Sequence, residues 1–596
     1  MKLYSYFDET EDDILLLNVQ YVPISKTDNG FQDDVLYLIY RDNKTGEKKL
    51  KTITKPKTET FVTKPEYMMS FKTQREYLPE SSVDSIITRY PLITNNLIKK
   101  LEESNIDKEY IPICKQEKKE IFKWRHAYFS DYDIRDYAMI AYINNKKSPI
   151  HTKLSKAYLD IESDIYKRSS LEIEQCDCPI NAVSVVMTHD ENFVELKHPR
   201  VYTLLLRNHV RYKEQEYFEN NLDKFIQECH DEFDNDYNKP SFVIRIYDDE
   251  IMMLRTLFGL LHKKSPDFIL IWNMSYDVPT IMKRLERLGE NPINYFCHKD
   301  FEIPNLRYNY DTIYKNVMKN KSESVDCTSY SVWMDQMLNY AGIRKSQADY
   351  GGNNLDNIAR IELGSKKREY SKRNVNVING AIEEYWNFVK YSINDVLLQY
   401  GIDKKTSDTE VLFEQSLFGG TRINKALKQS VYLKNVWAIE YLKNNIVPKN
   451  NNNVNYSKFK SEEDSDDFIL SVNDYDSERL NGALVGDPKL NDNKGVVILG
   501  NHSNSLFRFA IDLDFKALYP YIKITNNISP MTQYFRIIIK DKCIENENPE
   551  NIAGFLRAGK FIEDYETDDG SIVGRWIGLS DSYDVLLEYD EHRKSI

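Results

Sequence analysis

The run AYLDIES, residues 157–163, is the stretch that decides the fold. Its acidic side chains alternate with apolar ones, as in a strand with one buried face, so Asp160 and Glu162 project from the same side. Strand-like runs follow at 181–189 and 201–206. A helical run follows at 249–264 and a further strand-like run at 267–273, and helical patterns continue to about residue 445. Short strands followed by helices predict an α/β domain around residues 157–163.

Two further acidic motifs follow along the chain. WNMSYD, residues 272–277, places Asp277 just after an apolar strand, at the sheet edge where α/β proteins collect ligands. YSIND, residues 391–395, places Tyr391 and Asp395 one turn apart on a predicted helix. Both residues lie opposite the apolar stripe of that helix, so we expect them to reach a cleft. The stripe consists of Ile382, Tyr385, Val389, Ile393, Val396 and Tyr400.

Clustered carboxylates are what two Mg²⁺ ions require for phosphodiester hydrolysis, because Mg²⁺ prefers oxygen ligands and the ions must lie about 4 Å apart. One Asp-x-Glu on a strand, or one Tyr-x3-Asp on a helix, is more often an ordinary solvated surface. The ordered combination of three such motifs, each in a suitable predicted element, instead indicates a divalent-metal site.

Composition restricts the class of protein. A chain of 596 residues should hold several domains, and its hydrophobic fraction of 41% is that of a globular protein. No apolar run approaches the roughly 18 residues that span a membrane, and seven scattered cysteines suit a reducing compartment. We therefore expect a cytoplasmic protein without a membrane partner. The net charge of −13 does not exclude nucleic-acid binding, because acids are concentrated in residues 461–478 and in the last 56 residues.

The motifs resemble those of family B replicative DNA polymerases, closest to the enzymes of large tailed phages. AYLDIES is similar to the first exonuclease motif of that family, residues 271–285 to the second and residues 391–396 to the third. One departure is the separation of Asn273 and Tyr276 by two residues, where many members have three. A shorter spacing occurs in some phage relatives, so Asp277 is retained as a ligand.

The resemblance implies a ribonuclease-H-like 3′–5′ exonuclease domain that proofreads DNA. Its two Mg²⁺ ions, for which Mn²⁺ can substitute, would be bound by Asp160, Glu162, Asp277 and Asp395. Tyr391 would orient the attacking water, and Asn273 and Tyr276 would hold the frayed primer end. The implied substrates are primer–template and single-stranded DNA.

A fourth motif resembles the first half of a polymerase active site. In residues 507–520 (FRFAIDLDFKALYP) one strand face is apolar, and Asp512 and Asp514 share the other. The similarity to motif A of the polymerase palm extends through Pro530. It implies that Asp514 binds the catalytic metal, that Tyr519 lies under the sugar of the incoming dNTP, and that Leu518 contacts the same nucleotide.

The rest of that polymerase site is not recognisable after residue 530. Nucleotidyl transfer also needs a second carboxylate and a cationic lysine, which the family supplies in a Lys-x3-Asn…Tyr-Gly helix and an Asp-Thr-Asp turn. The run YETDDGS (565–571) has a different spacing, and its flanks lack the apolar character of a hairpin. We therefore expect a second polymerase polypeptide to complete the palm, fingers and thumb. Truncation of a longer gene product is the other explanation, and a sliding clamp is a further candidate partner.

The predicted protein is thus an α/β multidomain chain. We expect an N-terminal α+β domain at 1–150, an exonuclease domain at 151–405, a helical connector with an Asn- and acid-rich linker at 406–480, and the beginning of a palm with an acidic segment at 481–596. The leading prediction is a DNA-directed DNA polymerase part with 3′–5′ exonuclease activity. The alternatives are a stand-alone 3′–5′ DNA exonuclease with a relic polymerase region and a non-catalytic DNA-binding scaffold.

Overall fold

The chain divides into two units in the computed structural model, Met1–Glu478 and Arg479–Ile596. The residues that the structure describes are 1–7, 13–27, 30–68, 77–93, 99, 126–146, 154–164, 175–190, 193–207, 212–234, 239–310, 323–344, 352–364 and 382–450, with four strands of the second unit. Among the helices of these residues, none has the length and apolar character needed to cross a bilayer.

The first residues form small antiparallel sheets. Their strands are β1 (Ile14–Val22), β2 (Ser25–Thr27), β3 (Gly30–Gln32), β4 (Val35–Asp42), β5 (Lys48–Thr54), β6 (Lys57–Thr63), β7 (Tyr77–Pro79), β8 (Val83–Arg89) and β9 (Ala127–Tyr128). The strand orders are β1-β4-β5, β8-β6-β9 and β2-β3. The described residues of this region also form two helices, α1 (Pro65–Met68) and α2 (Ile134–Asn145), and 3₁₀ turns at Glu80–Ser82 and Tyr90–Leu92.

A mixed sheet of eight described strands follows. Its strands are β10 (Lys156–Ser163), β11 (Ile180–His189), β12 (Glu195–Leu206), β13 (Ser241–Tyr247), β14 (Phe268–Ile271), β15 (Leu306–Tyr310), β16 (Glu323–Cys327) and β17 (Val332–Asp335), in the order β13-β12-β11-β10-β14-β17-β16-β15. β10 pairs antiparallel with β11 and parallel with β14, so it lies in the middle of the sheet. The strands predicted from the sequence at 157–163, 181–189, 201–206 and 267–273 are confirmed.

Helices are interspersed with these strands and continue after them. They are α3 (Tyr212–Asn220), α4 (Leu222–Phe233), α5 (Glu250–Lys264), α6 (Met274–Arg287), α7 (Ile293–Phe296), α8 (Gln336–Ile343), α9 (Leu355–Leu363), α10 (Ile382–Thr406), α11 (Asp408–Phe418) and α12 (Gln429–Lys443). A 3₁₀ turn at Ile423–Lys425 precedes α12, and the strand β18 (Ile446–Pro448) follows it and pairs with β7.

Helices cover both faces of the mixed sheet. Leu159 and Ile161 of β10 pack in one apolar cluster with α5 and α6, which contribute side chains such as Leu257. Tyr158, which points the other way, packs in a second cluster with Val389 and other residues of α10. Because side chains alternate along a strand, Asp160 and Glu162 share the α10 side with Tyr158.

A buried ion cluster joins the N-terminal sheet to the mixed sheet. The carboxylate of Asp267, just before β14, lies 2.7 Å from Nζ of Lys48, and its two oxygens lie 2.7 and 2.6 Å from Nη2 of Arg41. The same carboxylate accepts a hydrogen bond from the backbone N–H of Ser155 at 2.8 Å. These four residues, the Asp267 cluster, connect β4 and β5 with the starts of β10 and β14.

The second unit contains an antiparallel sheet of four described strands. They are β19 (Phe535–Ile539), β20 (Lys560–Glu566), β21 (Ile572–Ile577) and β22 (Asp584–Tyr589), in the order β19-β22-β21-β20. β20 ends at Glu566, within the YETDDGS run, and pairs with β21, which begins just after that run, so the expectation that its flanks are not hairpin-like was wrong. Asp514, Leu518 and Tyr519 lie outside the described residues, as do residues 451–480 of the predicted connector and linker.

Replacing Asp267 by asparagine should lower the free energy of unfolding by about 3–5 kcal/mol, because two buried cations would lose their counter-charge. Urea denaturation of both proteins measures this difference. Glu440→Gln is the matched control, since it breaks an exposed pair with Lys443 and should change stability by less than about 0.5 kcal/mol. Equal effects of the two substitutions would show that the Asp267 cluster does not hold the sheets together.

Candidate active site

Three carboxylates from distant parts of the sequence meet at one end of β10. Asp160 and Glu162 come from the strand and Asp395 from α10, and an oxygen of each lies within 4.8 Å of an oxygen of the other two. The two strand residues are partly exposed, whereas Asp395 is almost fully buried. The packing of α10 on β10 thus brings together residues of the first and third acidic motifs.

This set of donors fits a hard divalent cation. Three carboxylates at such distances repel one another when all are ionised, and a bound cation removes that repulsion. Oxygen-only ligands are those that Mg²⁺ prefers and that Mn²⁺ also accepts. The group therefore has the chemistry expected of a divalent-metal site.

A polar contact between strand and helix supports this geometry. Ser392 of α10 lies 2.8 Å, between hydroxyl oxygens, from Ser184 of β11. Ser184 is the cross-strand partner of Asp160 in the β10–β11 ladder. The hydroxyl of Thr203 on β12 lies 3.2 Å from that of Ser184, so the contact continues across the sheet. It fixes α10 against the sheet within one turn of Asp395.

Asp277 lies at the same edge of the sheet but outside the group of three. It is buried in the first turn of α6, which follows β14, and β14 runs parallel to β10. Burial raises the pKa of the neighbouring Tyr276, and the charges of Asp277 and Glu162 add to the shift, while the hydroxyl of Ser163 opposes it. The phenol of Tyr276 thus stands near carboxylates of both the first and second motifs.

The remaining predicted residues of the exonuclease motifs lie at the start of α6 and on α10. Asn273 and Tyr276 are exposed at the start of α6, with 40% of Tyr276 accessible to solvent. Tyr391 is buried on α10, one turn before Asp395. The predicted roles of these side chains, and that of Asp277 as a metal ligand, stay predictions.

A residue that the sequence reasoning missed is Asp335, at the end of β17. Its buried carboxylate accepts hydrogen bonds from the backbone N–H groups of Leu338 at 2.6 Å and Met274 at 2.9 Å, so it caps both α8 and α6. Burial raises its pKa to about 8, and Glu323 adds to this, whereas the backbone donors oppose it. The sequence pattern of an Asp before a helical run predicts the N-cap of α8. The hydrogen bond to Met274, 61 residues away, cannot be predicted from neighbouring residues.

Asp335→Asn should loosen the start of α6. An amide has one acceptor oxygen, whereas the carboxylate form of Asp335, which predominates above its pKa of about 8, uses two, so above that pH one helix loses its cap at a cost of about 1–2 kcal/mol. Hydrogen exchange at Met274 and the following amides should accelerate. Asp249→Asn is the control, because Asp249 caps α5 through one bond, to the N–H of Met252, which asparagine can replace. Unchanged exchange in α6 of the Asp335 variant would exclude this role.

Comparison with known families agrees with this geometry. Residues 125–344, a little over a third of the chain, match the family model for the DNA polymerase family B exonuclease domain. The match includes Asp160, Glu162 and Asp277 and ends before α10, whose Asp395 joins the group through the fold. No curated protein matches the chain. The family match supports a 3′–5′ exonuclease function for this part of the protein.

Proposed function

We propose that this chain is a metal-dependent 3′–5′ DNA exonuclease that forms the proofreading part of a family B DNA polymerase. The observation that carries the proposal is the meeting of Asp160, Glu162 and Asp395 within 4.8 Å, next to the second motif and in a chain with the family B exonuclease match. A DNA strand with a free 3′ end is the substrate.

Each residue has a role in this proposal. Asp160, Glu162 and Asp395 hold the metal, with Asp277 as a fourth ligand from α6. Two Mg²⁺ ions, when bound, supply Lewis-acid stabilisation of the scissile phosphate and a nucleophilic water at neutral pH. Tyr391 orients that water. The three-carboxylate group is the support for this set of ligands.

Substrate reaches the group from its exposed side. Asp395 is buried against β10, whereas Asp160, Glu162 and Tyr276 are accessible to solvent. The exposed ring of Tyr276 can stack on a base of the frayed 3′ end, and the amide of Asn273 can bond to the same nucleotide. Stacking tolerates every base, as proofreading requires.

The polymerase part of the proposal rests on the motif in residues 507–530. We propose that Asp514 binds a metal ion there and that Leu518 and Tyr519 contact the dNTP. A second polypeptide supplies the remaining palm, the fingers and the thumb, and a sliding clamp is a further partner. The stand-alone exonuclease is the second candidate, because the exonuclease site alone is supported by a family match.

Changing Asp160 and Glu162 together to alanine should reduce Mg²⁺-dependent degradation of a 5′-labelled single strand at least about a thousandfold. Losing the metal removes about 4 kcal/mol or more of transition-state stabilisation. Binding of single-stranded DNA, measured by fluorescence anisotropy in Ca²⁺, should persist. Glu440→Gln, on the exposed surface, should keep full activity. Degradation that survives the double change would refute the site assignment.

Primer extension separates the two candidate functions. The chain alone should degrade a primer without extending it, and mixing it with a polypeptide carrying the lysine helix and the Asp-Thr-Asp turn should restore extension. Asp514→Ala should then abolish extension and leave degradation intact. Degradation without extension in every mixture would support the stand-alone exonuclease.

A further inference from the structure

A second polar cluster lies on the same face of β10 as the candidate ligands. Lys156 and Tyr158 precede Asp160 at strand spacing, so all three side chains project toward α10. The carboxylate of Asp403 on α10 lies 2.6 Å from Nζ of Lys156 and accepts a hydrogen bond from the hydroxyl of Tyr158 at 2.7 Å. The side chain of Asp403 is 1% exposed.

The same carboxylate also joins α10 to α11. Its second oxygen accepts hydrogen bonds from the backbone N–H of Thr409 at 3.1 Å and from the hydroxyl of that residue at 2.8 Å. Glu410 adds a second carboxylate 2.6 Å from Nζ of Lys156. Although burial opposes it, Asp403 and Glu410 raise the pKa of Lys156, which therefore stays charged. Lys156, Tyr158, Asp403, Thr409 and Glu410 form the Asp403 cluster.

The spacing of this cluster matches the spacing of the candidate active site. Lys156 and Asp160 are four residues apart on a strand, which is roughly 13 Å. Asp403 and Asp395 are eight residues apart on a helix, which is roughly 12 Å. The helix therefore runs antiparallel to the strand. It places Asp403 beside Lys156 and Asp395 near Asp160.

We propose that the Asp403 cluster is a positioning device for the exonuclease site. It sets the register of α10 along β10, so that Asp395 arrives beside Asp160 and Glu162 in the geometry that binds metal. This inference rests on the proposed function. Asp403 and Lys156 are positioning residues, since they act through Asp395 and not on the substrate.

The test measures Mn²⁺ binding to the protein without DNA, by the loss of the free-ion EPR signal. Asp403→Asn should weaken Mn²⁺ binding about 10-fold, the lower end of the range for groups bonded directly to metal ligands, because Asp403 acts on Asp395 through the helix. In Mg²⁺ titrations of degradation, the half-saturating Mg²⁺ concentration should rise by a similar factor, while the KM for single-stranded DNA stays unchanged. A structural role alone would lower stability without this selective change.

Asp136→Asn is the matched control. Asp136 is a buried carboxylate on α2 that accepts a hydrogen bond from Nε of Arg422 at 3.0 Å, and it belongs to neither β10 nor α10. Its replacement should lower the melting temperature but leave Mn²⁺ affinity at the wild-type value. Equal loss of Mn²⁺ affinity in Asp136→Asn and Asp403→Asn would overturn the inference, because the effect would then follow general destabilisation.

The outcomes distinguish this inference from the proposed function. If wild-type protein binds no Mn²⁺ beyond that bound by the Asp160 and Glu162 double variant, the proposed function fails. If the double variant loses Mn²⁺ but Asp403→Asn binds it as wild type does, the positioning role alone fails. If Asp403→Asn does not fold, Tyr158→Phe takes its place, because it removes only one hydrogen bond of the Asp403 cluster. Tyr158→Phe should weaken Mn²⁺ binding several-fold. Wild-type affinity in that variant would overturn the inference.

Discussion

The constraint on which the first unit depends is the neutralisation of buried charge by Asp267. One carboxylate without exposed surface faces both Arg41 and Lys48, and charges removed from water are tolerated only when they are paired and hydrogen-bonded. Burial lowers the pKa of Lys48 to about 8; Asp267 opposes the shift and Arg41 adds to it. This shared carboxylate ties the N-terminal sheet to the start of the strand that bears the candidate ligands.

Beyond that point β10 is organised by polar contacts along its length. Just before the strand, the backbone N–H of Ser155 donates to Asp267. Along the strand, Lys156 and Tyr158 bind Asp403, and the carboxylates of Asp160 and Glu162 lie near that of Asp395. The opposite side of the strand is apolar and packs against α5 and α6. One strand thus separates a packing face, which gives stability, from a polar face, which gives the site its geometry.

Local patterns predicted the parts of the site that depend on local geometry. The alternation in AYLDIES predicted that Asp160 and Glu162 share a face, and the four-residue spacing predicted that Tyr391 and Asp395 lie one turn apart on a helix. The partners of Asp267 and Asp403 could not be predicted, because Arg41 and Lys156 are 226 and 247 residues away from them, respectively. An Asp that caps a helix 61 residues upstream, as Asp335 does, is likewise specified by the tertiary fold.

The hairpin of the second unit shows that a local sequence pattern can also fail to predict strands that do form. β20 and β21 pair although β20, KFIEDYE, does not alternate regularly between charged and apolar side chains, and this masked the strand pattern in the sequence. Strand pairing depends on the cross-strand partner as much as on the strand itself. The family match does not identify every residue of the candidate site either. It ends at residue 344, and Asp395 joins the site because α10 packs on β10.

The distance along the chain between the carboxylates has a consequence for biosynthesis. Position 395 leaves the ribosome 235 residues after position 160, which takes on the order of ten seconds or more at about 5–20 residues per second. Until α10 has emerged and packed, β10 presents two carboxylates without the third. The nascent chain therefore cannot assemble the three-carboxylate group early, and under the proposed function its nuclease activity would begin only when this helix has docked.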